Sequence, residues 1–197
     1  MLTINQAKKL IKLARDSISN YFKNKEPPVT AEVKKEFGKK QGAFVSLYLD
    51  EELSGCIGFP EPTLPLYMAV IRGALGAAFE DPRFPPLKQS QLKNIRIELS
   101  ILTVPEEIEL KKDPKEYLKK IKIGRDGLLI QDEFGSGLLL PQVPVEWRWD
   151  AKEFLNQTCM KAGLSPDCWN NMKRNVYKFQ AQIFTEKNSK IIEKKFK

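Results

Sequence analysis

Cys56 sits between two glycines in Leu53-Ser54-Gly55-Cys56-Ile57-Gly58-Phe59, just ahead of Pro60-Glu61-Pro62. Glycine on either side, Gly55 and Gly58, lets the backbone approach a ligand and aim its amides at an anion or oxyanion. A thiol in that setting is a nucleophile when a neighbouring cation favours its thiolate. The competing reading is a packed cysteine in a strand, with the glycines admitting a helix. The spacing is too short for a phosphate loop, and neither Gly-x-Gly-x-x-Gly nor a Walker pattern occurs in the chain.

Three further groups could take part. Asp81-Pro82-Arg83-Phe84-Pro85-Pro86 is a stiff loop that offers an acid, a guanidinium and an aromatic ring. Arg83 can hold a carboxylate or phosphate bidentately, or can simply pair with Asp81 or Glu80. Glu98 and Ser100 fall on the polar side of an alternating segment, as a base and a hydroxyl, or as groups facing water. Gln142, in Leu140-Pro141-Gln142-Val143, precedes Trp147 and Trp149, an aromatic pair suited to stacking on bases or to packing. The candidate catalytic residues are therefore Cys56, Glu98 and Asp81, and the candidate binding residues are Gly55, Gly58, Arg83, Phe84, Ser100 and Gln142.

The composition narrows the chemistry. There is no histidine among the 197 residues, so Ser-His-Asp and Cys-His catalysis and histidine-ligated metals drop out. Acid–base work falls to Asp, Glu, Lys, Tyr or Cys. Cys56, Cys159 and Cys168 form no CxxC, which argues against a zinc site, and no metal is assigned. The cofactor is unknown. An odd cysteine count without a signal peptide points to a reducing cytoplasm, with Cys159 a core residue. The net charge is +8, from 33 Lys+Arg against 25 Asp+Glu. The lysines are scattered in pairs with acidic neighbours, which favours a solvated surface over a nucleic-acid partner. No apolar run is long enough to span a membrane.

The elements that must position these groups can be read in order. Thr3 with Gln6 forms a capping box for a helix to about Asn24, with Ile4, Ala7, Leu10, Ile11, Ala14, Ile18, Tyr21 and Phe22 as its buried stripe. A short helix over 30–37 follows. Strands over 42–49 and 53–59 are joined by a turn at Asp50-Glu51-Glu52. A small-residue helix spans 64–79, and a strand spans 94–104. A short helix over 113–120 leads to Ile121-Lys122-Ile123 and Leu128-Leu129-Ile130 as strands around Gly124–Gly127, then a turn at Glu133-Phe134-Gly135 and a strand over 136–140. Asp150 with Glu153 caps a helix that Gly163 stops, Ser165-Pro166 opens another, and a final strand covers 176–184. The expected fold is α+β, an antiparallel sheet flanked by helices, with a β-rich sub-lobe over 112–145 and a basic, disorder-prone tail over 186–197.

Taken together, these residues resemble the AMMECR domain family. The resemblance rests on Gly42-Ala43-Phe44-Val45, Leu53 to Gly58, Asp81 to Pro86, Gly124 to Gly127, Gly137 to Val143, Trp149-Asp150 and Thr158 to Gly163, and spans roughly Thr3 to Phe184. It implies a two-lobed α+β fold with the motif residues near the lobe junction, and no established reaction. It also implies a pathway shared with Memo-like or radical-SAM proteins as partners. The family's usual motif is Leu-Arg-Gly-Cys-Ile-Gly. Ser54 stands here in place of that arginine, so a role of the arginine in activating the thiol or binding substrate is either lost here or relocated, with Arg83 as the candidate substitute.

Overall fold

The structure is a computed structural model and describes residues 1–133, 135–188 and 190–195. The chain forms two compact units. The first comprises Met1–Leu102 and Gln182–Lys194, and the second comprises Thr103–Ala181 with Lys195. The second unit is wider than the expected 112–145 sub-lobe. Helices pack against antiparallel strands in both, so the fold is α+β.

Unit 1 opens with α1, Ile4–Tyr21, capped by the expected Thr3–Gln6 box. Its buried face is Ala7, Leu10, Ile11, Leu13, Ala14, Ser17 and Ile18, whereas Ile4 and Tyr21 are exposed. The Tyr21 ring stacks on Phe79 at 4.1 Å instead of entering the core. After α2, Ala31–Glu36, capped by Thr30, come β1, Ala43–Leu49, and β2, Glu52–Phe59. Their turn is Asp50-Glu51, both with positive φ (51° and 66°), and Glu52 already belongs to the strand. Two left-handed residues match the right-handed twist of the strands they join. Then follow α3, Leu66–Phe79, and β3, Ile95–Leu102. The sheet order in this unit is β2-β1-β3 and then β7, Val176–Lys187, whose last residues pair with β8, Lys190–Lys194. The helices cover one sheet face, with Val45, Leu47, Ile97 and Leu99 packed against α1 and α3 in one core.

The 186–197 segment is thus not a loose tail where it is described. Lys190–Lys194 forms β8, because Ile191 packs on the core while Lys194 reaches Glu98. Phe196 and Lys197 lie outside the described residues.

Unit 2 contains β4, Glu106–Glu107; α4, Glu116–Lys120; β5, Asp126–Asp132; β6, Gly135–Leu139; α5, Val143–Glu146; and α6, Ala151–Lys161. The first part of β7 pairs with β5 and β4, and β5 pairs with β6. Ile121-Lys122-Ile123 is not a strand. Asp126, 1% exposed, accepts the Lys122 amide at 2.9 Å and the Arg125 side chain, which pulls these residues into a turn at Gly124 (φ 78°). Phe134, in the expected turn before β6, lies outside the described residues. The core joins Leu128, Ile130, Leu139, Phe154, Leu155 and Trp169. Ser165-Pro166 leads to a single 3₁₀ turn over Cys168–Asn170 rather than to an α-helix. Cys159 is buried as expected, but it is bonded to Cys168, which replaces the expectation of reduced thiols. Closing so short a loop contributes on the order of 2–3 kcal/mol by chain entropy.

Candidate functional site

The hairpin that carries Cys56 contains an irregularity invisible in its composition. Tyr48 pairs with Leu53 and Leu47 with Gly55, so Ser54 is the extra residue of a β-bulge, and its hydroxyl bonds back to Leu47 O at 3.3 Å. Strand side chains alternate between faces, so one inserted residue reverses every residue beyond it. Without the bulge Cys56 would lie opposite Val45, on the core face. With it, Cys56 lies opposite Ser46, on the face turned away from the helices.

That face is ordered in rows by the two registers. Cys56, Ser46 and Glu98 form one row, Gly58, Phe44 and Ser100 the row on one side, and Tyr48 with Arg96 the row on the other. Cys56, Glu98, Ser100 and Gly58 therefore share a face, as the alternation of β3 suggests. Ser46 Oγ donates to Cys56 Sγ at 3.2 Å. Glu98 is 5% exposed, and its Oε1 accepts from Tyr48 OH at 3.4 Å. Its Oε2 lies 2.5 Å from Lys194 Nζ and 3.8 Å from Arg96 Nη1. Burial, and then the Glu98 charge, push the Tyr48 phenol up to about 12.

Asp81 and Arg83 meet Cys56 from the strand edge, through its backbone. Asp81 Oδ2 accepts the Cys56 amide at 2.9 Å, and Arg83 Nη2 donates to the Cys56 carbonyl at 3.0 Å. Arg83 also holds Asp81 bidentately, at 2.9 Å from Nε and 2.7 Å from Nη2. Its own amide bonds to Oδ1 at 3.1 Å. The Arg83 guanidinium and the two backbone amides hold the Asp81 carboxyl well below the usual carboxylate range, overcoming the opposing effect of burial. With four donors on its two oxygens, Asp81 is a fixed anion that anchors the loop. Pairing of Arg83 with Asp81, one of the two readings of the loop, is what the geometry contains. The Arg83 side chain is still 58% exposed, and its guanidinium carbon lies 5.3 Å from the Phe84 ring centroid.

The glycines separate. Gly55 faces the helices, where a Cβ would lie 1.9 Å from Ala77 O of α3, so it serves packing. The space left by Gly58 is filled by the Phe44 ring, 2.4 Å from where a Cβ would sit. Gln142 belongs to unit 2, with its Oε1 buried and without a hydrogen-bond donor. Ser46, Tyr48, Arg96 and Lys194 were not singled out from the sequence. The alternation of Phe44, Ser46 and Tyr48 along β1 would have pointed to the first two, whereas nothing near Lys194 marks it. No group of metal-ligating side chains assembles among the described residues. Likewise, no described helix is long and apolar enough to cross a membrane.

The AMMECR1 family model matches residues 11–184. A protein of Thermococcus gammatolerans is 50% identical over 185 residues, covering 90% of this chain and 88% of its own. One of Methanocaldococcus jannaschii is 48% identical over 199 residues, covering 99% and 98%. The crystal structure of an uncharacterised protein from Pyrococcus horikoshii superposes with a TM-score of 0.87 at 47% identity, covering 95% of each chain.

Proposed function

The chain belongs to the AMMECR1 family, and from that premise we propose that the polar face around Cys56 is an enzyme-like site acting on a small molecule with an anionic group. The observation that carries this reading is the row Cys56–Ser46–Glu98, in which the free, partly exposed thiol receives a hydroxyl hydrogen bond. The hydroxyl donor fixes the orientation of the sulfur on this face. In this reading Cys56 attacks, Glu98 exchanges the proton, and the exposed Arg83 guanidinium anchors the anionic group with Phe84 beside it. Asp81 positions the Cys56 backbone and takes no proton. A cytoplasmic location belongs to the same proposal. It is supported by the free thiol of Cys56 alone, because a disulfide such as Cys159–Cys168 is commoner in oxidising compartments.

Alkylation of the native protein tests the proposal. We expect one equivalent of iodoacetamide to be taken up at Cys56 of the native protein, and Ser46→Ala to slow the reaction. A thiol that stays unlabelled until the protein is denatured would remove nucleophilic catalysis from consideration.

A second reading, a non-catalytic module for a protein partner or nucleic acid, draws on a different observation. Trp147 is 68% exposed, its ring is stacked on Trp149 at 6.1 Å, and Arg148 between them has φ 56°. Stacking of bases on this pair predicts that Trp147→Ala weakens binding of a single-stranded oligonucleotide by about 1–3 kcal/mol, with affinity falling steeply as salt rises. A flat salt response excludes nucleic acid as the partner.

A further inference from the structure

In unit 1 the end of β7 with Asn188, Ile191 and Ile192 of β8, the start of β3 and Arg15 of α1 line an open cavity of about 760 Å³. Cationic side chains outnumber carboxylates along its walls. Not all of those cations are available. Arg15 is committed to the Leu92 and Ile95 carbonyls and to Glu186. Among the described residues Lys93 and Lys187 have no acidic partner.

Arg96 stands out when the bidentate edges of three arginines are compared. Arg83 closes its Nε–Nη2 edge on Asp81, and Arg125 closes the same edge on Asp126 at 2.7 and 2.8 Å. Arg96 has a buried Nε with no acceptor, and its Nη2 reaches only Glu51, at 3.1 Å. The Glu51 side chain is 83% exposed and sits on the β1–β2 turn. An ion pair with so exposed a partner is weak and readily exchanged. The rest of Arg96 is held in place. Nη1 donates to the buried Thr185 hydroxyl at 2.8 Å, and the guanidinium lies 4.0 Å from the Tyr48 ring centroid. The result is a fixed guanidinium at the wall of a basic cavity, with an exchangeable partner on Nη2 and beside it an unpartnered Nε shielded from solvent in the present position of Glu51. That geometry matches two oxygens of an oxyanion.

We propose that this cavity binds a phosphate-class oxyanion, taken bidentately on the Nε–Nη2 edge of Arg96 in place of Glu51. A carboxylate would fill the edge, but Lys93 and Lys187 add charge that suits the higher charge of a phosphate ester or pyrophosphate. The cavity shares Arg96 and Lys194 with the surroundings of Glu98, but anion binding there requires no reaction at Cys56.

Calorimetric titration of the full chain with pyrophosphate tests it, with malonate as the carboxylate probe. Wild-type protein is expected to bind pyrophosphate more tightly than malonate. Arg96→Lys, which keeps the charge but loses the fork, is expected to weaken pyrophosphate by about tenfold or more. Glu51→Gln removes the competing carboxylate and is expected to tighten binding. Because Glu51 lies on an exposed turn, that variant decides the matter even if Arg96→Lys fails to fold. Absence of pyrophosphate binding, or binding that Glu51→Gln leaves unchanged or weakens, overturns the proposal. So does unchanged binding by a folded Arg96→Lys protein, and tighter binding of malonate overturns the phosphate assignment.

Discussion

Gly55→Ala is expected to cost the fold about 3 kcal/mol or more, read as a lower midpoint in thermal or urea unfolding. The added methyl would lie 1.9 Å from Ala77 O and 2.9 Å from its carbonyl carbon. These are backbone atoms of α3, so relief requires a whole helix to move off the sheet. Gly58→Ala is the informative comparison. Its nearest neighbours include the Phe44 ring, which can turn, although Ala43 O at 2.5 Å limits the relief. The smaller loss is therefore expected at Gly58. If the two variants melt alike, or Gly55→Ala melts as the wild type does, the close approach of α3 to β2 is not what makes glycine necessary at position 55.

Asp81→Ala is expected to cost about 2–3 kcal/mol at neutral pH, because it strips acceptors from the Cys56 amide and from Arg83. Arg83 is 58% exposed and regains water once released, so the larger cost of leaving a cation buried does not apply. The loss should depend on pH with a definite sign. The folded Asp81 carboxyl titrates below its unfolded value, so its contribution is complete above the unfolded value of about 4. It declines as pH falls toward the folded value. Unfolding curves of wild type and variant should thus differ by a constant amount from about pH 5 upward and converge in acid. A gap that stays constant through acid would mean that the carboxylate charge does not hold the loop.

Much of this framework was legible in the residues. Thr3 and Gln6 announce the first helix because the capping chemistry is local. The alternation of Ile95, Ile97, Leu99 and Ile101 against Arg96, Glu98 and Ser100 correctly assigns β3 its two faces. The Ser54 bulge was not legible, and it decides where the thiol points. A bulge is a property of two strands in register, and nothing in Leu53-Ser54-Gly55 alone specifies which residue will be unpaired. Where the family motif carries arginine, this chain places the bulge residue itself. Gly55 and Gly58, three apart, face opposite ways along any strand, and the bulge decides that Gly55 is the one turned toward α3 and Gly58 the one on the polar face. The Cys159–Cys168 bond and the Lys194–Glu98 contact escaped for a related reason. Each joins residues whose proximity is set by the path of the chain and not by any local pattern.

The discontinuity of unit 1 has a consequence for how the protein comes off the ribosome. Glu186 accepts both Arg15 Nη2 and the Ile97 amide, tying the first helix and β3 to a residue near the end of the chain. A nascent chain of 102 residues has its helices and three strands, but the β3 edge is bare and Arg15 lacks its carboxylate partner. Unit 2 is contiguous from Thr103 to Ala181 and emerges whole before β7 is finished. The stretch of unit 1 that is synthesised before unit 2 is therefore completed only by Gln182–Lys194, after unit 2 has emerged.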